Sequence, residues 1–326
     1  MTGDTNRTLT TRDRKQNMAC VPEVAGVLPV VQTPYAEDGS IDVAALDAEL
    51  AWILDQGVDG LTTGMVSEIL SLSGSERRLL TERVVAAAHG RGRASVISCG
   101  AESLPIAVGY AEHAAAVGAT ALMANPPITA ALGDEAVHGY FVAILGAVDL
   151  PVVVQDASGY VGRPLSLAVQ GRLFEQFGDR VLFKPEAYPI GPRLSRLRDL
   201  TGGRAAILEG SGGAAIIDSF RRGIVGTMPG SEVCWAIRRL WDAVTCGDWE
   251  TAYAITGPLN MLVGTLSSID GYVAVEKHLL WRQGVLASTR QREPRGYALD
   301  EESIAEIDRL FDRIARAAGQ PERIGS

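Results

Sequence analysis

Residues 94–124 read ASVISCGAESLPIAVGYAEHAAAVGATALMA. An apolar run at 94–99 turns into an amphipathic helical stretch at 105–117, and a second apolar run follows at 120–124. Short apolar runs without polar alternation suit strands buried on both faces, and a helix between two of them makes a parallel βαβ unit. The same rhythm continues in both directions. Further strands are expected at 26–32, 60–63, 152–155, 181–184, 205–209 and 223–227, with helices at 43–54, 76–89, 134–147, 165–177, 191–200 and 214–222. This α/β repetition predicts a closed (β/α)8 TIM barrel in preference to an open doubly wound sheet. After the eighth strand only helical patterns remain, at 234–245, 249–266, 271–283 and 301–318. The expected organisation is a polar, aperiodic, disordered tail over 1–22, a barrel over 23–233 and a helical extension over 234–326, packed outside the barrel.

Composition narrows the function. The chain has 326 residues, 47% of them hydrophobic, and a net charge of -9. That describes a globular protein, and the absence of a Lys/Arg run argues against nucleic acid as partner. An anionic substrate would have to be held by local donors, because the overall field is repulsive. Cys20, Cys99, Cys234 and Cys246 show no CxxC pairing and no histidine at metal-ligand spacing, so reduced thiols are expected, with no metal and no cofactor. No apolar run reaches about 18 residues, and the first 20 residues lack the apolar segment of a secretion signal; no membrane partner and a cytoplasmic location are expected. His89, His113, His138 and His278 fall on expected helices, away from strand ends, which disfavours a triad. Trp235, Trp241, Trp249 and Trp281, in the C-terminal helices, read as packing residues.

Of 30 basic residues only Lys15, Lys184 and Lys277 are lysine. Arginine serves wherever a generic positive charge suffices, so each lysine is informative. Lys15 lies in the tail, and Lys277, between Glu276 and His278, fits a solvated helix face. Lys184 ends the run Val181, Leu182, Phe183, at the C-terminal end of a barrel strand, where barrel enzymes place catalytic groups. A partly desolvated amine is the nucleophile that forms an imine with a ketone. The structural alternative is a buried ion pair with Glu186 or Glu209.

Several motifs extend that reading. The chain carries GVLPVVQTPYAEDGSID (26–42), GVDGLTTGMVSEILSLSGSER (57–77), NPP (125–127), FKPEA (183–187), and EGSGG followed by GIVGTMPG within 209–230. Over residues 24–318 it resembles the dihydrodipicolinate synthase and N-acetylneuraminate lyase family. The resemblance implies a barrel with a Schiff-base lysine at Lys184, a 2-keto acid substrate and a homo-oligomer, dimer or tetramer. It also implies that the loop after strand two cradles the substrate carboxylate, which gives Val66 and Ser67 that role by position. Glu68, Glu209, Gly210 and Thr227 are further substrate-binding candidates. Glu68 also reads as a helix-start residue, and Ser67 as a cap or loop residue. The glycines after strand seven suit either anion binding or close packing.

The family's pattern breaks at strand five. Where members carry a relay tyrosine this chain reads VVVQDAS, with Gln155 at or near the position, and a neutral amide is not a general base. The aromatic pair expected after strand four is replaced by Ile128 and Thr129, leaving Tyr160 as the nearest phenol. The VQDA segment, the Ser-Glu loop without threonines, the EG ending strand seven and the TMPG turn together resemble the branch containing L-2-keto-3-deoxyarabonate dehydratases. Loss of a C4 hydroxyl as water requires no C4 alkoxide, so it tolerates the missing tyrosine better than aldol cleavage does. The expected activity is a carbon-oxygen lyase acting through an imine on Lys184, with Gln155 and Tyr160 as further catalytic candidates. A pyruvate-dependent aldolase or synthase, and a non-catalytic keto-acid binder, are the alternatives.

Overall fold

The structure is a computed structural model that describes residues 24–266 and 268–320. The expected tail over 1–22, with Lys15 and Cys20, lies outside these residues. Eight parallel strands close into a barrel: β1 (Gly26–Val27), β2 (Gly60–Thr62), β3 (Ala94–Ser98), β4 (Ala121–Ala124), β5 (Val152–Asp156), β6 (Val181–Pro185), β7 (Leu208–Glu209) and β8 (Gly226–Thr227). One run pairs in the order β2-β3-β4-β5-β6 and the other in the order β1-β8-β7. Parallel bridges Val30–Thr62 and Phe183–Ile207 join the two runs and complete the ring.

The strands have two apolar faces because two cores surround them. Val96, Met123, Val153, Leu182 and Leu208 fill the barrel interior. Ile97, Leu122, Val154 and Phe183 face outward and pack with the helices. Side chains alternate along a strand, so this parity decides which polar residues look inward at the strand ends. On β6 Leu182 is inside and Phe183 outside, which turns Lys184 inward. On β5 Val153 is inside and Val154 outside, which turns Gln155 inward.

Seven helices follow the strands: α1 (Val43–Asp55), α2 (Gly74–Gly90), α3 (Leu104–Ala116), α4 (Asp134–Ala147), α5 (Leu167–Phe177), α6 (Ile190–Leu200) and α7 (Ile216–Arg222). Their starts are chemically marked. Asp42 accepts from Ala45 N, Ser166 accepts from Val169 N, and Ser73 forms a reciprocal capping box with Glu76. α2 therefore begins at Gly74 with Glu76 as its capping carboxylate, and Glu68 is not the helix-start residue read from sequence.

The C-terminal segment forms α8 (Cys234–Cys246), α9 (Trp249–Gly264), α10 (Ile269–Arg282) and α11 (Glu301–Ala317). These helices are more than an outer layer. Leu262 and Val263 of α9 and Tyr272 and Glu276 of α10 help to wall the cavity above the strand ends. Lys277 corrects the reading of a solvated helix face, because it is fully buried, with His278 nearly so. An amphipathic pattern identifies a helix with a buried stripe, and here the strand-end loops cover the face opposite that stripe as well.

Candidate active site

The cavity at the C-terminal end of the barrel is lined by Val30, Val66, Gln155, Tyr160, Lys184, Glu186 and Gly210 among others. Gln155 and Lys184 are register partners across β5 and β6. Lys184 Nζ lies 3.2 Å from Glu186 Oε1, and both side chains are buried, so the ion pair that the sequence offered as the structural alternative is present, with Glu186 and not Glu209 as partner. Gln155 Nε2 donates to Glu186 Oε2 at 2.8 Å, so the amide read from sequence as a replacement for a phenol instead orients a carboxylate. Burial pushes the Glu186 carboxyl above the usual carboxylate range, against the opposing influence of Lys184 and Gln155.

Gly210 makes room for this group. A Cβ there would sit 2.4 Å from Lys184 Cε and 2.6 Å from Glu186 Oε1, so any side chain would displace the pair. The Gly210 carbonyl accepts from Tyr160 Oη at 3.1 Å. Burial, with Glu186 nearby, raises the Tyr160 phenol well above its ordinary value. Tyr160 thus keeps its proton at neutral pH and serves as a donor. Its ring meets Tyr272 of α10 edge to face at 5.4 Å.

The loop after β2 is a 3-10 turn over Met65–Ser67. As the first residues of that turn, Met65 and Val66 have N–H groups that the turn itself does not use, and both residues line the cavity. Ser67 is turned away. Its hydroxyl donates to the Val31 carbonyl and accepts from Gly64 N at 3.1 Å, and its carbonyl accepts from Thr33 Oγ1 at 2.7 Å. The hydroxyl expected to hold a carboxylate therefore fastens the loop to the backbone that follows β1.

Glu68 lies outside the cavity wall too. Its backbone adopts φ 58°, the left-handed region, and its carboxylate pairs with Lys277 and accepts from Arg292 N at 2.7 Å. That conformation costs an L-residue roughly 1–2 kcal/mol, and the two side-chain contacts hold it in place. Glu209 and Thr227 are likewise engaged with the scaffold. Glu209 accepts from Ser211 N at 2.5 Å, from the Ser211 hydroxyl, and from Thr227 Oγ1 at 2.6 Å. Of the candidates, the structure brings Gln155, Tyr160, Lys184, Val66 and Gly210 to the cavity and leaves Ser67, Glu68, Glu209 and Thr227 behind it.

Sequence reasoning treated Glu186 only as an ion-pair partner and missed Glu232, Tyr272 and Glu276, all of which line the cavity. Glu186 carried a signal, since it follows Lys184 by two residues and shares its inward parity. The others come from the segment after β8 and from α10, and no local pattern joins them to a strand end. Among the described residues no group of three or more His, Cys, Asp or Glu side chains is arranged to hold a metal ion.

Residues 23–312 match the dihydrodipicolinate synthetase family. The chain belongs to that family. Family members are lyases and synthases. Among curated relatives, an L-2-keto-3-deoxyarabonate dehydratase of Azospirillum brasilense is 27% identical over 279 residues, 84% of this chain and 89% of the relative. A 4-hydroxy-tetrahydrodipicolinate synthase of Bartonella bacilliformis is 27% identical over 72% of this chain and 81% of its own length. The barrel with helical extension is also that of a dihydrodipicolinate synthase from Rhodopseudomonas palustris, with TM-score 0.82, 24% identity and coverage of 90% of this chain and 99% of that one. A Ruminococcus gnavus sialic acid aldolase, a catalytic lysine mutant, superimposes with TM-score 0.81 at 19% identity, over 92% of this chain and 98% of the other. No helix among the described residues is long and apolar enough to cross a membrane.

Proposed function

We propose that this family member dehydrates a 2-keto-3-deoxy sugar acid through an imine on Lys184. The observation that carries the reading is that Lys184 lines the cavity at the strand ends, beside a carboxylate, Glu186, that Gln155 braces where a relay phenol would otherwise stand. The substrate carboxylate binds the N–H groups of Met65 and Val66 at the start of their turn. Lys184 adds to the C2 ketone and water departs, leaving a protonated imine that acidifies C3.

Glu186 takes the C3 proton, and the C3–H electrons form the enamine. Burial makes this carboxylate a stronger base than a solvated one. The enamine then expels the C4 hydroxyl, which takes a proton from the Glu186 carboxyl and leaves as water. Addition of one water to the conjugated imine frees Lys184. The net change is loss of one water, with no carbon-carbon bond broken.

The second reading, an aldolase or synthase, is favoured by the Bartonella relative, which has the same 27% identity as the dehydratase over a shorter stretch, 240 residues against 279. Product analysis separates them, since cleavage releases pyruvate and dehydration does not. Borohydride reduction in the presence of a 2-keto acid is expected to add the ligand's mass at Lys184. In Lys184→Ala the adduct disappears and turnover falls by at least about a thousandfold. An adduct that persists in Lys184→Ala refutes the proposal.

A further inference from the structure

Glu232 follows β8 and Glu276 lies on α10, yet their carboxylates converge on one point of the cavity wall. A Cβ added to Gly230 would lie 2.3 Å from Glu232 Oε2 and 2.6 Å from Glu276 Oε1. Glycine at 230 therefore leaves open the space both oxygens face. Both residues line the cavity that holds Lys184, and Lys184 is close enough to act electrostatically on Glu276.

The two carboxylates are not equally engaged. Glu276 Oε2 accepts from Gln32 Nε2. Glu232 is only 9% exposed, and its Oε2 is buried with no hydrogen-bond partner among the described residues. A buried acceptor without a donor weakens the fold until something supplies the donor. Burial pushes Glu232 up to about 7, and burial together with the Glu232 charge pushes Glu276 well above the usual range, so the pair readily retains a proton at neutral pH. It can accept a hydrogen bond from a hydroxyl, and it repels a second carboxylate.

We infer that Glu232, backed by Glu276, is the site that selects a hydroxylated 2-keto acid by accepting a hydrogen bond from one of its hydroxyls. It also excludes keto acids with a second carboxylate. The inference rests on Lys184 being the imine-forming residue. An acceptor buried in the wall of the cavity that holds the reacting amine discriminates strongly, because a substrate lacking the hydroxyl leaves it unpaired.

The test measures borohydride-trapping efficiency at Lys184 with 2-keto-3-deoxypentonate, pyruvate and 2-oxoglutarate. In Glu232→Met, which keeps length but removes the acceptor, the 2-keto-3-deoxypentonate to pyruvate ratio is expected to fall at least about tenfold. Glu232→Gln, which keeps one acceptor oxygen, falls less, and 2-oxoglutarate is trapped more readily in both variants. A ratio within about twofold of wild type in both variants overturns the inference while leaving the Lys184 imine intact. If wild type traps none of the three acids, the imine reading fails and this inference fails with it.

Discussion

Lys184 and Lys277 are both buried and each pairs with a glutamate, yet their surroundings assign them different work. Lys277 spends its donors on the scaffold, giving hydrogen bonds to the Thr33 and Arg290 carbonyls at 2.8 Å and to the Glu68 carboxylate, beneath the Tyr35 ring. An ammonium has three N–H donors, and here all are used. Lys184 meets Glu186 and the open cavity. Burial and an acidic partner are common to both lysines; what distinguishes Lys184 is that it also lines the cavity at the strand ends. Lys277 instead holds Glu68 in its left-handed conformation and so fixes the loop that presents Met65 and Val66.

The comparison is most exposed at Glu186. If this carboxylate works as a base, Glu186→Gln lowers turnover by about 10²–10⁴ while the borohydride adduct at Lys184 still forms. Unaltered turnover in steady-state assays would make it a counter-ion, equivalent to Glu68, and the contrast between the lysines would narrow. Next in size, Lys277→Met leaves Glu68 buried without its cation and is expected to cost about 3–5 kcal/mol in urea unfolding. Adding Glu68→Gln should return part of that loss. A Lys277→Met protein of wild-type stability that has lost imine trapping would break the distinction.

The smallest effect concerns Glu49, which accepts from Gln32 N and Ser231 Oγ and lies in the field of Lys277. Burial pushes its carboxyl from 4.5 up to about 7. The folded state therefore binds a proton that the unfolded state releases between these values. The stabilising contribution is complete below about pH 4.5 and is lost as pH rises to about 7. The stability difference between wild type and Glu49→Gln should fall over that window, by on the order of 1–3 kcal/mol, in denaturation curves taken at successive pH values. No such slope would mean that the hydrogen bonds from Gln32 and Ser231, with Lys277, offset the burial completely.

The barrel was legible because each strand carries a continuous apolar run and each helix a periodic one, so neighbours in sequence specify neighbours in space. The C-terminal helices were equally legible, with α8 starting at Cys234 and α11 at Glu301 as read. The place of Lys184 on the cavity wall was legible too, from its position at the end of a strand. Ser67 was misread because a hydroxyl in a loop has no visible direction until the packing shows that it faces the Val31 carbonyl. Glu68 is structural, as one of its two readings had it, but not as a helix-start residue: its partner Lys277 is 209 residues away.

The sequence by itself determined the alternation that closes eight strands, the inward parity of Gln155 and Lys184, and the departure from the tyrosine pattern. Those properties are local, set by side-chain period and by position within a strand. Only the tertiary structure decided that Glu186 is braced by Gln155, that Lys277 is structural, and that Glu232 and Glu276 reach the cavity of Lys184. These depend on how loops and α10 fold across the barrel mouth. Contacts between residues so distant along the chain leave no periodic signal, because each is fixed by the packing of the whole and not by its neighbours in sequence.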